Sequence, residues 1–362
     1  MKKYKIVCDN HMVCDDTVER AVIARRGCRN DYDIVLANRD DREAFLREAE
    51  DADAVCAYIP FPAEVLDRLP NCKVVAIQAL GTDFCHADAA DERGICMSNL
   101  PIYCTEEVAT HTCALLLDCV RHISAMDRRL RTGVWDWAAR GTLYRLKGKK
   151  HGLVSFGGIA RRTAEMMKGF GVELQAYDPF LPDSVFEEAG VKRLDTMEEL
   201  FATSDIITVH TPLLPKTRHI VGKKQFDAIR KPVIFVCTSR GGVVDEEALK
   251  EAIDQGKVAS AGLDVIEDET TFQSVLRGLP QVVMTPHTAY SSYEAEMDAR
   301  AINMENILDV LEDGKLPRNI LNPEVAENAR FCRNRESYFR KINREKREQL
   351  CRGGAASAFA GI

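Results

Sequence analysis

Three short segments in the second half of the chain each offer a side chain suited to proton and charge handling. Cys237-Thr-Ser-Arg240-Gly-Gly-Val-Val-Asp245 carries Arg240. Gly262-Leu-Asp264-Val-Ile-Glu-Asp-Glu269 carries Glu269, with Glu267 as a rival, and Thr285-Pro-His287 carries His287. An arginine grips a carboxylate through two parallel hydrogen bonds. A histidine titrates near neutral pH and can hand over a proton. A carboxylate beside it orients the ring and favours its charged form. Taken singly, each residue has a plainer reading as a turn arginine, a solvated acidic run or a strand cap.

A fourth segment has the chemistry of a nucleotide site. Ser155-Phe156-Gly157-Gly158-Ile159-Ala160 follows an apolar run and opens a helical pattern. It matches the dinucleotide fingerprint G-x-G-x-x-G/A, with Ser155 in the first glycine position and Ala160 in the last. At Gly157 the missing Cβ lets a pyrophosphate approach the backbone and the positive helix end. Asp178, about 20 residues on, ends the next apolar run in Tyr177-Asp178-Pro179. A carboxylate there accepts from the ribose hydroxyls and repels a 2′-phosphate, so NAD is expected over NADP.

These segments need a scaffold that puts them at the ends of strands. Across the first hundred residues, strand-like runs (Tyr4–Cys8, Asp33–Leu36, Ala54–Ile59, Lys73–Gln78, Ile95–Asn99) alternate with helical ones such as Asp41–Glu50 and Ala63–Leu69. A single long helix is expected from an N-cap at Thr105 to about Leu130, ended by Gly133. A second alternating array, with seven strands, runs from Gly152 to about His287, and a further helix covers about Tyr293–Leu311. The expected fold is α/β: two doubly wound Rossmann-like domains with parallel sheets, joined by long hinge helices. The expected division is 1–110 plus 300–327 as a substrate domain, 111–299 as an NAD-binding domain, and 328–362 as a basic, flexible tail.

Composition narrows the classes. The 362 residues are 46% hydrophobic and 29% charged, with a net charge of −7. That is a globular chain of about two domains, and its acidity argues against nucleic acid as a partner. The most apolar stretch, Cys113 to Val120, is interrupted by Asp118 and is far too short to span a membrane. The thirteen cysteines follow no secretory signal, form no CxxC pair and have no zinc spacing. They read as reduced thiols, mostly core fillers, in a cytoplasmic protein, and no metal site is expected.

With these motifs in order over about residues 3–325, the chain resembles the D-isomer-specific 2-hydroxyacid dehydrogenase family, in particular its branch similar to C-terminal-binding-protein dehydrogenase domains. The resemblance rests on the stretches Arg145–Phe180, Thr238–Leu249, Gly262–Val265, Thr285–His287 and Pro317–Asn322. It implies a catalytic Arg240, Glu269 and His287. Arg240 would hold the substrate carboxylate, His287 would protonate the carbonyl oxygen of a small 2-oxo acid, and Glu269 would aim His287. NAD would be held by Ser155 to Ala160, Asp178, Thr211, Pro212, Thr217, Thr238, Ser239 and Asp264, with Arg240 and His287 at the nicotinamide. Leu80 and Gly81 would offer backbone amides to the substrate carboxylate, and Tyr103 would line the substrate. A homodimer built through the nucleotide domain is implied. Ser155, Cys237 (for the usual Asn), Thr110 (for a common Glu) and Thr270 (for Pro) depart from the family pattern, and the basic tail has no counterpart there. The same residues are compatible with an NAD(H)-sensing interaction protein of the corepressor type, or with a phosphoglycerate dehydrogenase-like enzyme. Residues 51–110 hold Arg68, Lys73 and Arg93 as their only Lys and Arg residues against many acids, which is thin support for a phosphate site.

Overall fold

The computed structural model describes residues 2–9, 15–328 and 330–331. They form two compact units, one drawn from the chain up to Tyr103 and from Glu296 onward, the other Cys104–Ala295.

In the first unit the strands are β1 (Lys3–Asp9), β2 (Asp31–Ala37), β3 (Ala54–Ala57), β4 (Val74–Ile77) and β5 (Cys96–Ser98), all parallel, in the order β2-β1-β3-β4-β5. Strands β3 and β4 are buried at every position, as a sheet covered on both faces requires. Val7, Val55, Val75 and Ile77 pack with Phe45 and Phe61 on one face. Ile6, Cys8, Ala54 and Val74 pack with Met304, Ile307 and Leu308 of helix Tyr293–Leu311 on the other. The first residues of the expected tail belong to this unit: the Asn328 side-chain amide donates to Asp91 O, Arg330 donates to Arg93 O, and Phe331 is buried. The tail from residue 332 lies outside the described residues.

The second unit holds β6 (Lys150–Val154), β7 (Glu173–Tyr177), β8 (Lys192–Arg193), β9 (Ile206–Val209), β10 (Val233–Cys237), β11 (Val258–Leu263) and β12 (Val282–Met284). They are parallel, in the order β12-β11-β10-β9-β6-β7-β8. The order reverses direction at β6, so the crevice beyond its carboxyl end is the switch point where ligands bind in such sheets. Phe201, Phe226 and Phe235 fill one face, and Leu116, Leu153, Phe156 and Met167 the other.

The long helix expected from Thr105 to Leu130 is two helices, Thr105–Arg121 and Ile123–Leu130. His122 between them is left-handed, at φ 55°. The break is held by side chains: Asp118 accepts from the Ser124 amide and hydroxyl, and His122 Nδ1 hydrogen-bonds with Arg140 O at 2.7 Å. Thr105 is the first helical residue rather than the N-cap. Cys104 holds that place and makes no side-chain cap.

Candidate active site

The turn after β6 carries the fingerprint. Ser155 is left-handed at φ 68°, a conformation that favours glycine, and its hydroxyl hydrogen-bonds with that of Thr211 at 2.8 Å. Phe156 is core, stacked on Phe186. Gly157 is the N-cap of helix Gly158–Lys168, which has no side-chain cap and no acidic residue in its first turn. Nothing else in the described protein comes within 4 Å of where a Cβ on Gly157 or Gly158 would stand. Internal packing therefore does not demand glycine at either position. The open space above the first-turn amides suits a pyrophosphate. Ala160 is fully buried, where a small residue lets the helix lie close on the sheet, and Ile159 is half-buried beside it.

Asp178 stands at the tip of β7. One carboxylate oxygen accepts from Phe156 N–H and the other from Phe180 N–H, both at 3.0 Å. It thus braces the fingerprint turn as well as presenting a carboxylate where a ribose would lie. Thr217 stabilises its own loop, donating to Pro212 O and accepting from Leu214 N–H, and Pro212 is exposed. The residues present fit a bound dinucleotide.

The three chemical segments follow three neighbouring strands, β10, β11 and β12. Their loops are laced together. A Cβ on Gly241 would stand 1.9 Å from Ile266 O, so only glycine lets the loop bearing Arg240 lie against the one after β11. Asp264 N–H donates to Cys237 O, and His287 N–H donates to Asp264 O. The Asp264 carboxylate has no exposed surface. It accepts from the Thr285 hydroxyl at 2.6 Å and from the amides of Thr288 and Ala289 at 2.9 Å. Asp264, expected at the nicotinamide end, is thus tied up beneath the turn that carries His287.

His287 is left-handed at φ 51°, and its Nδ1 lies 2.8 Å from Glu269 Oε2. Glu267 faces elsewhere: it accepts from Arg218 at 2.9 Å and meets His219 Nε2 at 2.7 Å. Glu269, not Glu267, is therefore the carboxylate against His287. Arg240 donates to the Ser239 carbonyl, and the buried Thr238 hydroxyl meets that of Thr112 at 2.8 Å. Cys237 is buried at the end of β10, and burial pushes its thiol pKa up. A cavity of about 470 Å³ opens beside the pair, with His287, Glu269, Ile266, Phe272, Met284 and Pro286 in its wall, a size suited to small ligands.

Sequence reasoning passed over His111. On helix Thr105–Arg121, its Nε2 meets the Thr285 hydroxyl at 2.9 Å and lies 3.6 Å from Asp264 Oδ1. A histidine within a helical run gives no sign of a partner so far along the chain. Beneath the cofactor turn, His151 Nε2 (3.0 Å) and His210 Nε2 (2.8 Å) share the Thr208 hydroxyl. One hydroxyl hydrogen cannot serve both, so it donates to one ring and accepts from the other. In the first unit, Leu80 and Gly81 lie in the loop after β4, where Leu80 O accepts from the Asn99 amide at 2.9 Å. Tyr103 follows β5, half-buried.

Residues 113–289 match the family model described as D-isomer specific 2-hydroxyacid dehydrogenase, NAD binding domain. The chain is 36% identical to D-3-phosphoglycerate dehydrogenase of Methanocaldococcus jannaschii over 80% of its own length and 55% of that protein's. It is 33% identical to glyoxylate reductase of Korarchaeum cryptofilum, over 79% of this chain and 87% of that one. It thus spans little more than half the length of the phosphoglycerate dehydrogenases it matches. Among solved structures it resembles D-lactate dehydrogenase from Escherichia coli, with a TM-score of 0.72 and 29% identity over 88% of this chain and 99% of that one. It also resembles D-mandelate dehydrogenase from Rhodotorula graminis, with a TM-score of 0.77 and 25% identity over 88% and 98%. NAD is the cofactor of the matched domain, and the chain belongs to the D-isomer specific 2-hydroxyacid dehydrogenase family.

Proposed function

We propose that the protein is an NAD-dependent D-2-hydroxyacid dehydrogenase that interconverts a small 2-oxo acid and its D-hydroxy acid. The observation that carries this is the Glu269–His287 hydrogen bond of 2.8 Å, beside a strand-end arginine at the carboxyl edge of a dinucleotide-binding sheet. Bound NADH supplies the hydride.

The protein's residues do the rest. Gly157 and Gly158 leave room for the pyrophosphate, and Asp178 accepts from the adenosine ribose. Arg240 holds the substrate carboxylate and draws charge toward the carbonyl oxygen. His287 gives that oxygen its proton from Nε2. Glu269 binds Nδ1, fixes which nitrogen faces the substrate, and stabilises the ring while it is charged. The substrate-binding part is residues 1–110 with 300–327, and the cofactor-binding part is 111–299.

The test is NADH oxidation with a panel of 2-oxo acids. His287→Ala should lose about 10²–10⁴-fold in turnover while NADH affinity stays within about threefold, because the cofactor contacts assigned to Gly157 and Asp178 remain. A variant keeping more than about a tenth of the rate sinks the assignment of His287 as the acid.

The family's homodimer has a surface to match. Trp135 (88%), Trp137 (74%) and Ile123 (57%) are largely exposed in the second unit, with Leu130 near them in sequence. Monomers rarely leave so much apolar surface in water, and a second copy is the partner we assign to it. The ten described cysteines are free thiols, which fits a reducing cytoplasm. Among the described residues, no helix is long and apolar enough to cross a membrane.

A further inference from the structure

The loop after β11 presents Glu269 on an exposed stretch, residues 269–273. Exposed loops lie at the low end of local stability, yet Glu269 Oε2 stands 2.8 Å from His287 Nδ1. Its place depends on how the two ends of the loop are held. One carboxylate holds both. Glu246 Oε1 accepts from Glu267 N–H at 2.7 Å, just before Glu269, and Glu246 Oε2 accepts from the Ser274 hydroxyl at 2.5 Å, just after the exposed stretch. Ser274 Oγ accepts in turn from Leu276 N–H at 3.2 Å. Between these anchors Asp268 accepts from the amide and the hydroxyl of Thr271, which closes the loop's inner turn. The Glu267 carboxylate adds a hold at the first anchor through Arg218 and His219.

Glu246 opens helix Glu246–Asp254, which follows the Arg240 segment. An acidic residue in a first helical turn ordinarily stays in water and serves the helix dipole. Glu247 is exposed and fits that role, whereas Glu246 is buried. It shares the wall of a small cavity with Leu249, Leu263, Val265 and Leu276. A carboxylate turned into apolar surroundings is costly unless donors meet it, and the donors here are the two ends of the Glu269 loop. The helix is capped without it, since Asp245 accepts from Ala248 N–H at 3.1 Å.

We propose that Glu246 is a positioning residue for the reaction: with Ser274 it clamps both ends of the loop, so that Glu269 stays against His287. This rests on the dehydrogenase reading above and deepens it. Glu246 never meets the substrate in this role. It acts through Glu269, and its effect disappears when Glu269 can no longer serve His287.

The experiment uses the full chain with NADH and glyoxylate, pyruvate or phenylpyruvate, whichever turns over fastest. It compares Glu246→Gln, Ser274→Ala and Ser274→Thr, each alone and combined with Glu269→Gln. Measured are kcat, KM and thermal unfolding, with NADH affinity read by fluorescence and deuterium uptake across residues 267–276 by mass spectrometry. Glutamine keeps the size of Glu246 but turns a donor toward one of the two groups that it must accept from. Glu246→Gln should lower kcat at least about tenfold, leave NADH affinity within about threefold, and speed deuterium uptake in the loop about tenfold. In the Glu269→Gln background the same change should cost less than about twofold. Ser274→Ala should follow that pattern, and Ser274→Thr, which keeps the hydroxyl, should restore the parent's rate; this pair decides the matter if Glu246→Gln does not fold. Equal losses in both backgrounds, or lower thermal stability with kcat unchanged, would overturn the inference and leave the dehydrogenase reading standing. No turnover of any 2-oxo acid by a parent protein that binds NADH overturns that reading, and the inference with it.

Discussion

Acid should loosen the second unit through the histidine pair under its cofactor turn. His151 on β6 is fully buried. Burial, with repulsion from His210 adding to it, pushes its pKa down to about 3 from an ordinary 6.5. His210 is also pushed down to about 3 by burial, but it keeps part of its surface, so the magnitude is worked on His151 alone. A charged His151 would also need an acceptor at Nδ1, which has none among the described residues. Between pH 6.5 and 3 the unfolded chain binds a proton that the folded chain refuses. The stability owed to the neutral ring is therefore complete above pH 6.5 and is lost as pH falls toward 3. At pH 5, about 1.5 units below the unfolded pKa, the loss is about 2 kcal/mol, with a slope of about 1.4 kcal/mol per pH unit. The assay is urea unfolding, followed by far-ultraviolet circular dichroism at pH 7 and pH 5, for the unmodified protein and His151→Gln. Glutamine does not titrate and can still bond Thr208. Between the two pH values the unmodified protein should lose about 2 kcal/mol more than the variant. Equal losses would refute the reasoning.

Three other outcomes are expected. Asp178→Ala should narrow an NADH over NADPH preference of at least about tenfold, measured as the ratio of kcat/KM, and should also weaken NADH because the Phe156 and Phe180 amides lose their acceptor. Equal use of both cofactors by the unmodified protein would contradict the role of Asp178. Gly241→Ala forces a Cβ into the Ile266 carbonyl, so thermal unfolding should show a loss of about 1–3 kcal/mol, together with a fall in kcat as Arg240 shifts. A variant as stable and active as the parent would show that the loops do not depend on that contact. Light scattering at micromolar concentration should report a dimer, and Trp135→Glu with Trp137→Glu should shift it toward monomer. A unmodified protein found only as monomer would remove the second copy from those tryptophans.

Much of the architecture was legible because apolar runs mark buried parallel strands. Ala54–Ala57, Val74–Ile77, Ile206–Val209 and Val233–Cys237 are buried throughout. Shorter signals were blurred at their edges. Val191–Leu194 reads as a strand because Val191 and Leu194 are both buried, yet only Lys192–Arg193 pairs with β7. The break at His122 was invisible because no glycine or proline marks it. A left-handed histidine and the Asp118 carboxylate do that work, and helix periodicity runs through both. Spacing left Glu267 as a rival to Glu269 for the place beside His287. Their side-chain directions separate them, since Arg218 and His219 take one and His287 the other.

What spacing could not convey is why His287, the proposed acid, is left-handed. A non-glycine residue at φ 51° persists only when its surroundings over-determine it. Here the surroundings are one buried aspartate. Asp264 accepts from Thr285, Thr288 and Ala289 through its side chain and from His287 through its carbonyl, so four donors on one turn converge on one residue. Its own amide hangs on the end of β10 through Cys237 O. The strand that delivers Arg240 and the turn that delivers His287 are thereby referred to the same residue, and Gly241, lacking a Cβ, leaves the arginine loop room against the Ile266 carbonyl. His111 adds a further hold through Thr285, from the helix. The geometry of the proposed acid then depends on packing beneath the cavity as much as on the residues lining it. That accounts for a left-handed His287: the same turn that keeps it off the β12 strand path turns its Nδ1 to Glu269.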